Sequence, residues 1–485
     1  MILGKKLILP LATTCLFFNA CQEKAEKPQP NFIFYITDDI SFNDLGCYGN
    51  TAAHTPHLDS LAMEGLLFTE AYLTTSSCSP SRSSIITGRY PHNTGAPELH
   101  TNMPESQVFF PDLLQEAGYY TALSGKNHMG PAVSRAFDTI STGKGPGLQE
   151  DWVALMRERP KEKPFFFWFA SVDAHRPWNI DSTAPVFAPE DVWVPPFLFD
   201  GPKTREDLTG YYHEVSRADH YMGEIIKELK KQGISENTYV IFMSDNGRPF
   251  PRSKTRLYDS GIKTPFIVWN PGTVNAGKTD ALISAIDVAA TVLDLAKVNV
   301  APTIQGVSFS AVLDDPASQI RNVAFAEHNW HVFRSHERMV RHGKYMYIKN
   351  AYPEKMSMSR ESAPEFPAGV ELWNAWEEGL THPEQEDIFQ NPRPEEELYN
   401  VAEDPFQFNN LATDPAYANE LETMRAVLAE WTEATGDNVP QNPTPDREDI
   451  YRTPNPEFSK HQEMPGDATG ADTITATGPV FIEPF

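Results

Sequence analysis

The stretch Asn31-Phe32-Ile33-Phe34-Tyr35-Ile36-Thr37-Asp38-Asp39 decides the fold. Its first seven residues form a nearly unbroken apolar and β-branched run, which is typical of a central parallel strand buried on both faces. The run ends directly in two carboxylates. Because ligands of open α/β sheets gather at the carboxyl ends of strands, Asp38 and Asp39 are candidates for metal ligands as well as for helix caps.

Three later segments repeat this arrangement of a buried strand with polar residues at its exit. The segments and their exits are 119–124 with Gly125-Lys126-Asn127-His128, 164–171 with Asp173-Ala174-His175, and 238–244 with Asp245-Asn246-Gly247. One histidine after a strand is more often structural than catalytic. Four such exits together favour a shared site.

Helical patterns alternate with these strands. The predicted helices are 55–66, opened by Thr55-Pro56, then 208–232, ended by Gly233, and 284–298. The alternation predicts an α/β fold in which a large, mostly parallel sheet is sandwiched by helices.

Towards the C-terminus the pattern becomes that of a smaller α+β domain with an antiparallel sheet. Its predicted elements are a hairpin of 338–341 and 344–348, a strand at 397–400 and a helix at 417–431, while 322–326 is the last strand predicted before it. The predicted units are a catalytic domain at 31–335, this subdomain at 336–437 and a loop-like arm at 438–485. The arm suggests no function.

The segment Ser77-Cys78-Ser79-Pro80-Ser81-Arg82 predicts the start of a short helix. Pro80 suits the first helical position, Ser79 can cap it, and Gly88 allows the helix to end. Cys78 would then lie at the positive end of the helix, which lowers the pKa of a thiol and attracts anions.

The pattern C-x-P-S-R, followed by an apolar pair and Thr87-Gly88-Arg89, resembles the signature of the formylglycine-dependent (type I) sulfatases. The likeness covers residues 31 to about 437, and within the family the motifs are most similar to those of the N-sulfoglucosamine sulfohydrolases, the heparan sulfamidases. The segments that carry this likeness are 76–82, 125–131, 244–251 and the run from 397 to 411. One departure is Lys254, because the sulfamidases have arginine at that position.

This resemblance implies an alkaline-phosphatase-like sulfatase fold. It also implies that a formylglycine-generating maturation enzyme oxidises Cys78 to 3-oxoalanine, an aldehyde that works as its hydrate. A hydrate can attack sulfur with one oxygen, and deprotonation of the other then releases sulfate. A maturation enzyme and a sulfated saccharide are therefore the implied partners.

Asp38, Asp39, Asp245 and Asn246 offer hard oxygen ligands, which select Ca²⁺, or less readily Mg²⁺, over zinc. Three carboxylates around a divalent ion leave a surplus of about one negative charge, so cationic neighbours are expected. The resemblance places this calcium beside the aldehyde hydrate and so adds matured Cys78 to the expected metal ligands.

The resemblance also implies catalytic roles. Metal-bound Asp245 would help to activate the hydrate, His175 would protonate the leaving group, and His128 would assist collapse of the intermediate. Arg82, Lys126 and Lys254 would neutralise charge on the sulfate oxygens.

Nine further side chains are candidate substrate contacts, although each could equally be a core or surface residue. They are His92, His100, Arg176, Trp178, Arg248, Arg256, His328, Asn329 and His331. Residues 248–263 carry five cations, which in so acidic a chain is where a sulfated sugar would be drawn.

Composition limits the function further. The chain has 485 residues and a formal net charge of −26, which excludes general nucleic-acid binding. Residues 1–21 resemble an export signal with a lipoprotein cleavage site, so Cys21 is predicted to carry lipid and 22–30 to form a tether. The predicted location is the periplasm or the outer membrane, with a lipid anchor as the only membrane contact, or secretion after a nearby cleavage. The four cysteines predict no disulfide framework.

Four functions are compatible with these residues. The leading one is a sulfatase that cleaves the O-sulfate of a poly- or oligosaccharide. The alternatives are a sulfamidase acting on heparan or heparin fragments, a phosphatase or phosphodiesterase of the same superfamily, and a non-catalytic glycan-binding surface lipoprotein.

Overall fold

The structure is a computed structural model, and it describes residues 28–483 together with Gly4. The predicted signal, Cys21 and most of the predicted tether lie outside the described residues. No helix within 28–483 is long and apolar enough to cross a membrane. Cys47 is half-buried and Cys78 is buried, and both are free thiols.

The strands of the described residues belong to three sheets. They are Asn31–Thr37 (β1), Leu66–Phe68 (β2), Ala71–Tyr72 (β3), Tyr120–Gly125 (β4), Thr139–Ser141 (β5), Phe165–Ala170 (β6), Thr238–Ser244 (β7), Phe266–Trp269 (β8), Gly277–Thr279 (β9), Ile283–Ser284 (β10), Val323–His328 (β11), Glu337–His342 (β12), Tyr345–Asn350 (β13) and Glu396–Asn400 (β14).

The α-helices are Pro56–Glu64 (α1), Cys78–Thr87 (α2), Phe110–Glu116 (α3), Trp152–Glu158 (α4), Pro202–Gln232 (α5), Asp259–Ile262 (α6), Asp287–Leu295 (α7), Ser310–Asp314 (α8), Pro367–Glu377 (α9) and Ala418–Thr435 (α10).

The main sheet has the order β5-β4-β6-β1-β7-β8-β2-β9. β1 lies at its centre, parallel to both β6 and β7, and every residue of β1 is buried. Phe32, Phe34 and Ile36 pack on one face, where α2, α3 and α7 lie, while Ile33 and Tyr35 pack on the other face with α1, α4 and α5. This explains why β1 reads as an unbroken apolar run rather than an alternating one.

The second domain is a four-stranded antiparallel sheet in the order β11-β12-β13-β14. One face packs on α10 through Met424, Leu428 and Trp431, and the other face joins the core of the main sheet. β11 therefore belongs to this sheet, although the sequence placed residues 322–326 within the segment 31–335.

β8 runs antiparallel to β7, so the main sheet contains antiparallel as well as parallel strand pairs on this side of β1.

Several predicted helix boundaries were wrong. α1 ends at Glu64, and Leu66 belongs to β2 instead of the helix. α5 begins at Pro202, six positions before the predicted start, and α7 is shorter than 284–298 at both ends.

The C-terminal arm is held against the body of the protein. Arg89 Nη2 donates to the carbonyl of Ile474 at 2.7 Å, and Asn322 Nδ2 donates to that of Ile482 at 2.7 Å. The ring of Phe458 stacks on Trp330 with centroids 5.3 Å apart. The arm therefore contributes to packing over a long path, which its composition did not indicate.

Candidate active site

The four predicted strand exits meet at one edge of the main sheet. β4, β6, β1 and β7 are neighbours and run parallel, so their carboxyl ends point the same way. Backbone hydrogen bonds join the exits: the amide of Asp38 donates to the carbonyl of Asp173 at 2.8 Å, and that of Lys126 to Ala170 at 2.8 Å. Gly125 has a φ of 98°, and a Cβ there would lie 1.9 Å from the Ala170 carbonyl oxygen, so only glycine permits this approach.

Asp38, Asp39, Asp245 and Cys78 form one buried cluster. Each residue offers a ligand atom that lies within 4.8 Å of the others. Asn246 adjoins the cluster, with its Nδ2 atom 2.5 Å from Asp39 Oδ1. The Asn246 Oδ1 atom is buried and has no hydrogen-bond partner in the described part of the chain. An oxygen of this kind is available to coordinate an ion.

Each carboxylate of the cluster has its own cation. Arg82 Nε lies 2.6 Å from Asp245 Oδ2, Lys254 Nζ lies 2.7 Å from Asp39 Oδ2, and Lys126 Nζ contacts Asp38 Oδ2. Arg82 also donates to the Lys126 carbonyl at 3.0 Å. Three carboxylates and three cations are thus brought together with balanced formal charge.

The carboxyl groups nevertheless resist ionising together. Burial, with Asp38 as a neighbour, raises the pKa of Asp39 to about 7 despite Lys254. Burial also raises the pKa of Asp245 to about 6, against the opposing charge of Arg82. For Asp38, burial is outweighed by Lys126, which holds its pKa well below the usual range. Additional positive charge at this position would stabilise all three ionised groups.

The donor set fits a hard divalent cation. Three carboxylates and an amide oxygen, without a histidine, match the ligands that calcium prefers. The structure brings Asp38, Asp39, Asp245 and Asn246 together, and these residues would hold such an ion; their role as ligands stays a prediction.

Cys78 is the first residue of α2, because the helix begins two residues before the predicted start at Pro80. Its Sγ atom lies 3.4 Å from Asp38 Oδ1 and 3.9 Å from Asp39 Oδ1. Burial, followed by the charge of Asp38, raises the thiol pKa well above its usual value. The predicted lowering of this pKa by the helix end was therefore wrong, since burial and adjacent carboxylates outweigh that effect.

Four histidines surround the cluster. The His100 and His128 rings lie 4.9 Å apart, and His331 Nδ1 lies 2.7 Å from the Ser77 hydroxyl oxygen. Burial, reinforced by Lys126, lowers the pKa of His128 to about 2. The surrounding protein and the charge of Lys254 lower the pKa of His175 to about 4, although the residue stays exposed on one side. These rings are therefore neutral at pH 7 in the unliganded protein.

The sulfatase family model matches residues 30–298, more than half of the chain. The chain belongs to the sulfatase family. It is accordingly a sulfuric ester hydrolase. A second family model, the C-terminal domain of N-sulphoglucosamine sulphohydrolase, matches residues 252–355 of this sulfatase.

Curated relatives cover most of the sulfatase. Human N-sulphoglucosamine sulphohydrolase is 31% identical over 466 residues, which span 84% of this chain and 90% of the human protein. A protein of Formosa agariphila named ulvan-active sulfatase is 28% identical over 470 residues, which span 85% of this chain and 77% of the relative.

Solved structures confirm the predicted fold. A 2-O GAG sulfatase superimposes with a TM-score of 0.66 at 21% identity and covers 91% of this chain and 99% of its own. A structure solved in complex with its substrate D-glucosamine-2-N,6-O-disulfate gives a TM-score of 0.65 at 20% identity over 84% of this chain and 98% of that one.

Several predicted substrate contacts of the sulfatase have structural partners in the fold. Arg176 forms a two-pronged pair with Asp207 at 2.5 and 2.7 Å, and Trp178 Nε1 donates to the same carboxylate at 2.8 Å. Arg248 is fully buried, with its Nη2 atom 3.0 Å from Asp44 Oδ1. These side chains hold loops in place, and their assignment as substrate contacts stays a prediction.

His92 and Asn329 also have structural partners. His92 is buried and its Nδ1 atom lies 2.8 Å from Glu327 Oε1. Asn329 Nδ2 donates to Glu327 Oε2 at 2.8 Å. Asp437 also lies beside His92 and Glu327, but Arg338 donates to both Asp437 oxygens at 2.6 and 2.7 Å. Arg338 therefore balances the charge of Asp437 within this buried group.

His100 donates its amide to the Ser79 hydroxyl at 2.9 Å and His331 contacts Ser77, so both lie beside the start of α2. His328 and Arg256 are taken up below. Asp173 and Arg217 are supporting residues that the predicted site lacks: Arg217 Nε donates to Asp173 Oδ2 at 3.0 Å, which fixes the exit of β6. Arg217 lies on α5, and no sequence pattern indicates that it reaches a strand 44 positions away.

Proposed function

We propose that this sulfatase removes sulfate from a sulfated carbohydrate, with Cys78 matured to formylglycine and Ca²⁺ bound beside it. The observation that carries the proposal is the buried cluster of three carboxylates around Cys78, each with its own cation. The saccharide class is supported by the relatives, among them an ulvan-active sulfatase and an N-sulphoglucosamine sulphohydrolase.

The net reaction is hydrolysis of a sulfate ester to an alcohol and hydrogen sulfate. The S–O bond of the ester breaks, water supplies a new oxygen to sulfur, and a proton passes to the departing alkoxide. A group that attacks sulfur, cations that hold the sulfate oxygens and a proton donor for the alkoxide are therefore required.

As a thiol, Cys78 is unsuited to attack, because its raised pKa keeps it protonated. Maturation would convert Cβ to an aldehyde: the side chain loses two electrons to the oxidant of a maturation enzyme, water supplies the oxygen and sulfur leaves as hydrogen sulfide. The aldehyde hydrate would supply the oxygen nucleophile. Bound Ca²⁺ would offset the charge of the three carboxylates.

Lys126, Lys254 and Arg82 are positioned to hold the sulfate. The Arg82 Nη2 atom is buried without a partner among residues 28–483, so it can donate to a bound oxyanion. Lys126 and Lys254 contact the carboxylates of Asp38 and Asp39, and these same two carboxylates lie beside Cys78 Sγ. They can therefore reach substrate oxygens while they remain beside the carboxylates.

His175 is placed to deliver the proton. Its Nδ1 atom lies 2.6 Å from the Arg176 carbonyl oxygen, and because a carbonyl only accepts, Nδ1 must donate there. Nε2 is then the atom that exchanges a proton with the leaving group. A bound sulfate beside this ring would raise its pKa from the value of about 4 and favour the protonated form.

The ester bond of an O-sulfate is the bond that we favour for cleavage. Lys254 presents a compact positive charge, whereas the planar fork of an arginine would restrict the orientation of the sulfate more closely. The N-sulfate of glucosamine is the second candidate, and it is favoured by the match of residues 252–355 to the sulfamidase C-terminal model.

The test is sulfate release by purified, matured enzyme from a panel of N-sulfated and O-sulfated oligosaccharides. We expect release from O-sulfated members. Release from N-sulfoglucosamine alone would reverse the order of the two candidates. Hydrolysis of phosphate monoesters without any sulfate release would support the phosphatase alternative, and binding without turnover of any ester would support the glycan-binding one.

The proposed setting is an exported lipoprotein, periplasmic or on the outer membrane, anchored through Cys21, with secretion as the alternative. The support is the sequence of residues 1–21. Cell fractionation with the native and the Cys21→Ala chain tests it, because loss of the anchor should move the protein from the membrane to the soluble fraction.

A further inference from the structure

Three buried side chains beside the catalytic cluster carry polar atoms without a hydrogen-bond partner. Arg256, Arg393 and His328 are 3%, 6% and 4% exposed. Among residues 28–483, no partner is found for the N–H groups at Arg256 Nε and Nη1 and at Arg393 Nη2, or for His328 Nε2. Because His328 Nδ1 faces Glu337 and burial lowers the pKa of the ring, Nε2 is an acceptor in the neutral ring and donates only when an anion beside it favours protonation. Unpaired buried donors destabilise a fold, so the arginine N–H groups gathered at one place indicate a ligand position.

The three side chains surround one carboxylate, that of Glu337 at the start of β12. Arg393 Nη1 lies 2.7 Å and His328 Nδ1 lies 3.7 Å from Glu337 Oε1. Burial would raise the pKa of Glu337, but Arg393, followed by His328 and Arg256, holds it well below its usual range. All three side chains are therefore near neighbours of Glu337 and of one another.

Their remaining contacts fix them in place. Arg256 Nη2 donates to the Tyr258 hydroxyl at 3.1 Å and to Asp387 Oδ2 at 3.2 Å, and its guanidinium lies over the Tyr258 ring at 4.9 Å. His328 Nδ1 lies 3.1 Å from the Ser335 hydroxyl. The unused atoms are thus on side chains that are already oriented.

This group is continuous with the catalytic cluster. Arg256 follows two residues after Lys254, and the intervening Thr255 donates its amide to the Ser76 carbonyl at 2.9 Å, just before α2. His331, three residues after His328, contacts Ser77. A saccharide with one sulfate at Cys78 would therefore have its neighbouring groups within this region.

We propose that Arg256, Arg393 and His328 form a second anion subsite, which binds another acidic group of the same saccharide, either a sulfate or a carboxylate. The inference rests on the proposed function, because it assumes that a sulfated sugar occupies the catalytic site. Arg393 is not part of any motif that the sequence indicates.

Local charges do not by themselves attract an anion here. The positive charges of the three arginines are offset by three carboxylates. Arg393 pairs with Glu337, and Arg252 Nε lies 3.4 Å from Asp387, which also contacts Arg256. Glu397 lies beside them and accepts from the Tyr258 hydroxyl at 2.7 Å. Binding must therefore depend on directed N–H groups. Lysine, which lacks the planar fork, should not replace Arg393.

The experiment is calorimetric binding to the unmatured Cys78 protein with CaCl₂ present, so that no ligand is consumed. The ligands are a monosulfated glucosamine, a disulfated glucosamine and a monosulfated disaccharide that carries a uronic acid. We expect at least one doubly charged ligand to bind about 10- to 100-fold more tightly than the monosulfated one. The disulfated and uronate arms distinguish a second sulfate from a carboxylate.

Arg393→Gln and Arg256→Gln should each remove most of this advantage, and Arg393→Lys should not restore it. The matched control is Arg425→Gln, which breaks an exposed pair with Glu396 in the same domain and should keep the advantage. Because Arg393 supports Glu337, a melting curve is recorded for each variant, and His328→Asn provides a variant that leaves the Arg393–Glu337 pair intact.

Equal affinity for singly and doubly charged ligands would overturn the subsite, as would an advantage that persists in Arg393→Gln, Arg256→Gln and His328→Asn alike. Ordered water would then satisfy the donors. These outcomes are independent of turnover. A protein that prefers doubly charged saccharides without releasing sulfate would keep the subsite and contradict the proposed function.

Discussion

Replacement of Asp245 by asparagine tests the proposed metal site without a large change in shape. Asp245 accepts from Arg82 at 2.6 Å, and both side chains are fully buried. Loss of one partner from a buried ion pair typically costs about 3–5 kcal/mol. Because Asp38 and Asp39 repel Asp245 and help to raise its pKa, removal of the charge also relieves repulsion. We therefore expect the lower end of that range, about 3 kcal/mol, in the absence of metal.

Metal adds a second, separable effect. An ion that binds only the folded state at about 100 times its Kd stabilises that state by about 2.7 kcal/mol. In a chain of 485 residues the entropy of unfolding is about 1 kcal/mol per kelvin, so each kcal/mol corresponds to about 1 °C in Tm. The native protein should thus melt about 3 °C higher in calcium than in chelator, while Asp245→Asn should start about 3 °C lower in chelator and gain little from calcium.

The assay is thermal unfolding of each protein in EDTA and in excess Ca²⁺. The control is Asp44→Asn, which also breaks a buried pair, that of Asp44 with Arg248 at 3.0 Å, but lies outside the carboxylate cluster. It should lower Tm in EDTA and keep the full response to calcium. A full calcium response in Asp245→Asn would refute its role as a ligand, and an unchanged Tm in EDTA would refute the cost assigned to the buried pair.

Three further outcomes are expected. Cys78→Ala should abolish sulfate release with an unchanged circular dichroism spectrum, and mass spectrometry of the peptide spanning Cys78 should show the aldehyde; an unmodified thiol in fully active enzyme would contradict this. Asp437→Asn should cost about 3–5 kcal/mol at pH 7 by urea unfolding. Burial is outweighed by Arg338, which lowers the folded pKa of Asp437, so the contribution of the ionised group is complete above the unfolded pKa of about 4. The loss in the variant should therefore shrink progressively as pH falls from about 4 towards the folded pKa. Inorganic sulfate should bind measurably by calorimetry with calcium and not in EDTA, and equal binding in both would contradict a metal contribution.

Sequence alone predicted the centre of the fold because its signal is local. β1 and β7 are unbroken apolar runs, and the structure gives them the predicted bounds. The carboxylates follow these strands directly, so the parallel arrangement brings Asp38, Asp39 and Asp245 together without further information. Cys78 was found through a contiguous motif.

The substrate contacts could not be predicted in the same way, because their availability depends on distant partners. Arg248 and Arg176 look like free cations in the sequence. In the fold, Arg248 pairs with Asp44 and Arg176 with Asp207, which lie in other segments of the chain. Arg393 is the converse case, because the sequence did not indicate it and the structure does. It lies in a Pro-rich loop without any motif, and only the fold brings it to Glu337. Pairing of buried charges is a long-range property that residue spacing does not encode.

The charges of the cluster explain why a divalent ion matters for an anionic substrate. The sequence suggested that three carboxylates around calcium would leave a negative surplus, but Arg82, Lys126 and Lys254 each pair with one of them. The protein groups are therefore balanced, and a divalent ion would give the site a surplus of about two positive charges by the ligand rules for such ions. In a chain with a net charge of −26, a sulfate ester is repelled at long range, so a buried and locally positive site is what allows it to bind. A bound calcium ion would share the three carboxylates with Arg82 and the two lysines, so these cations could contact substrate oxygens while they remain beside the cluster.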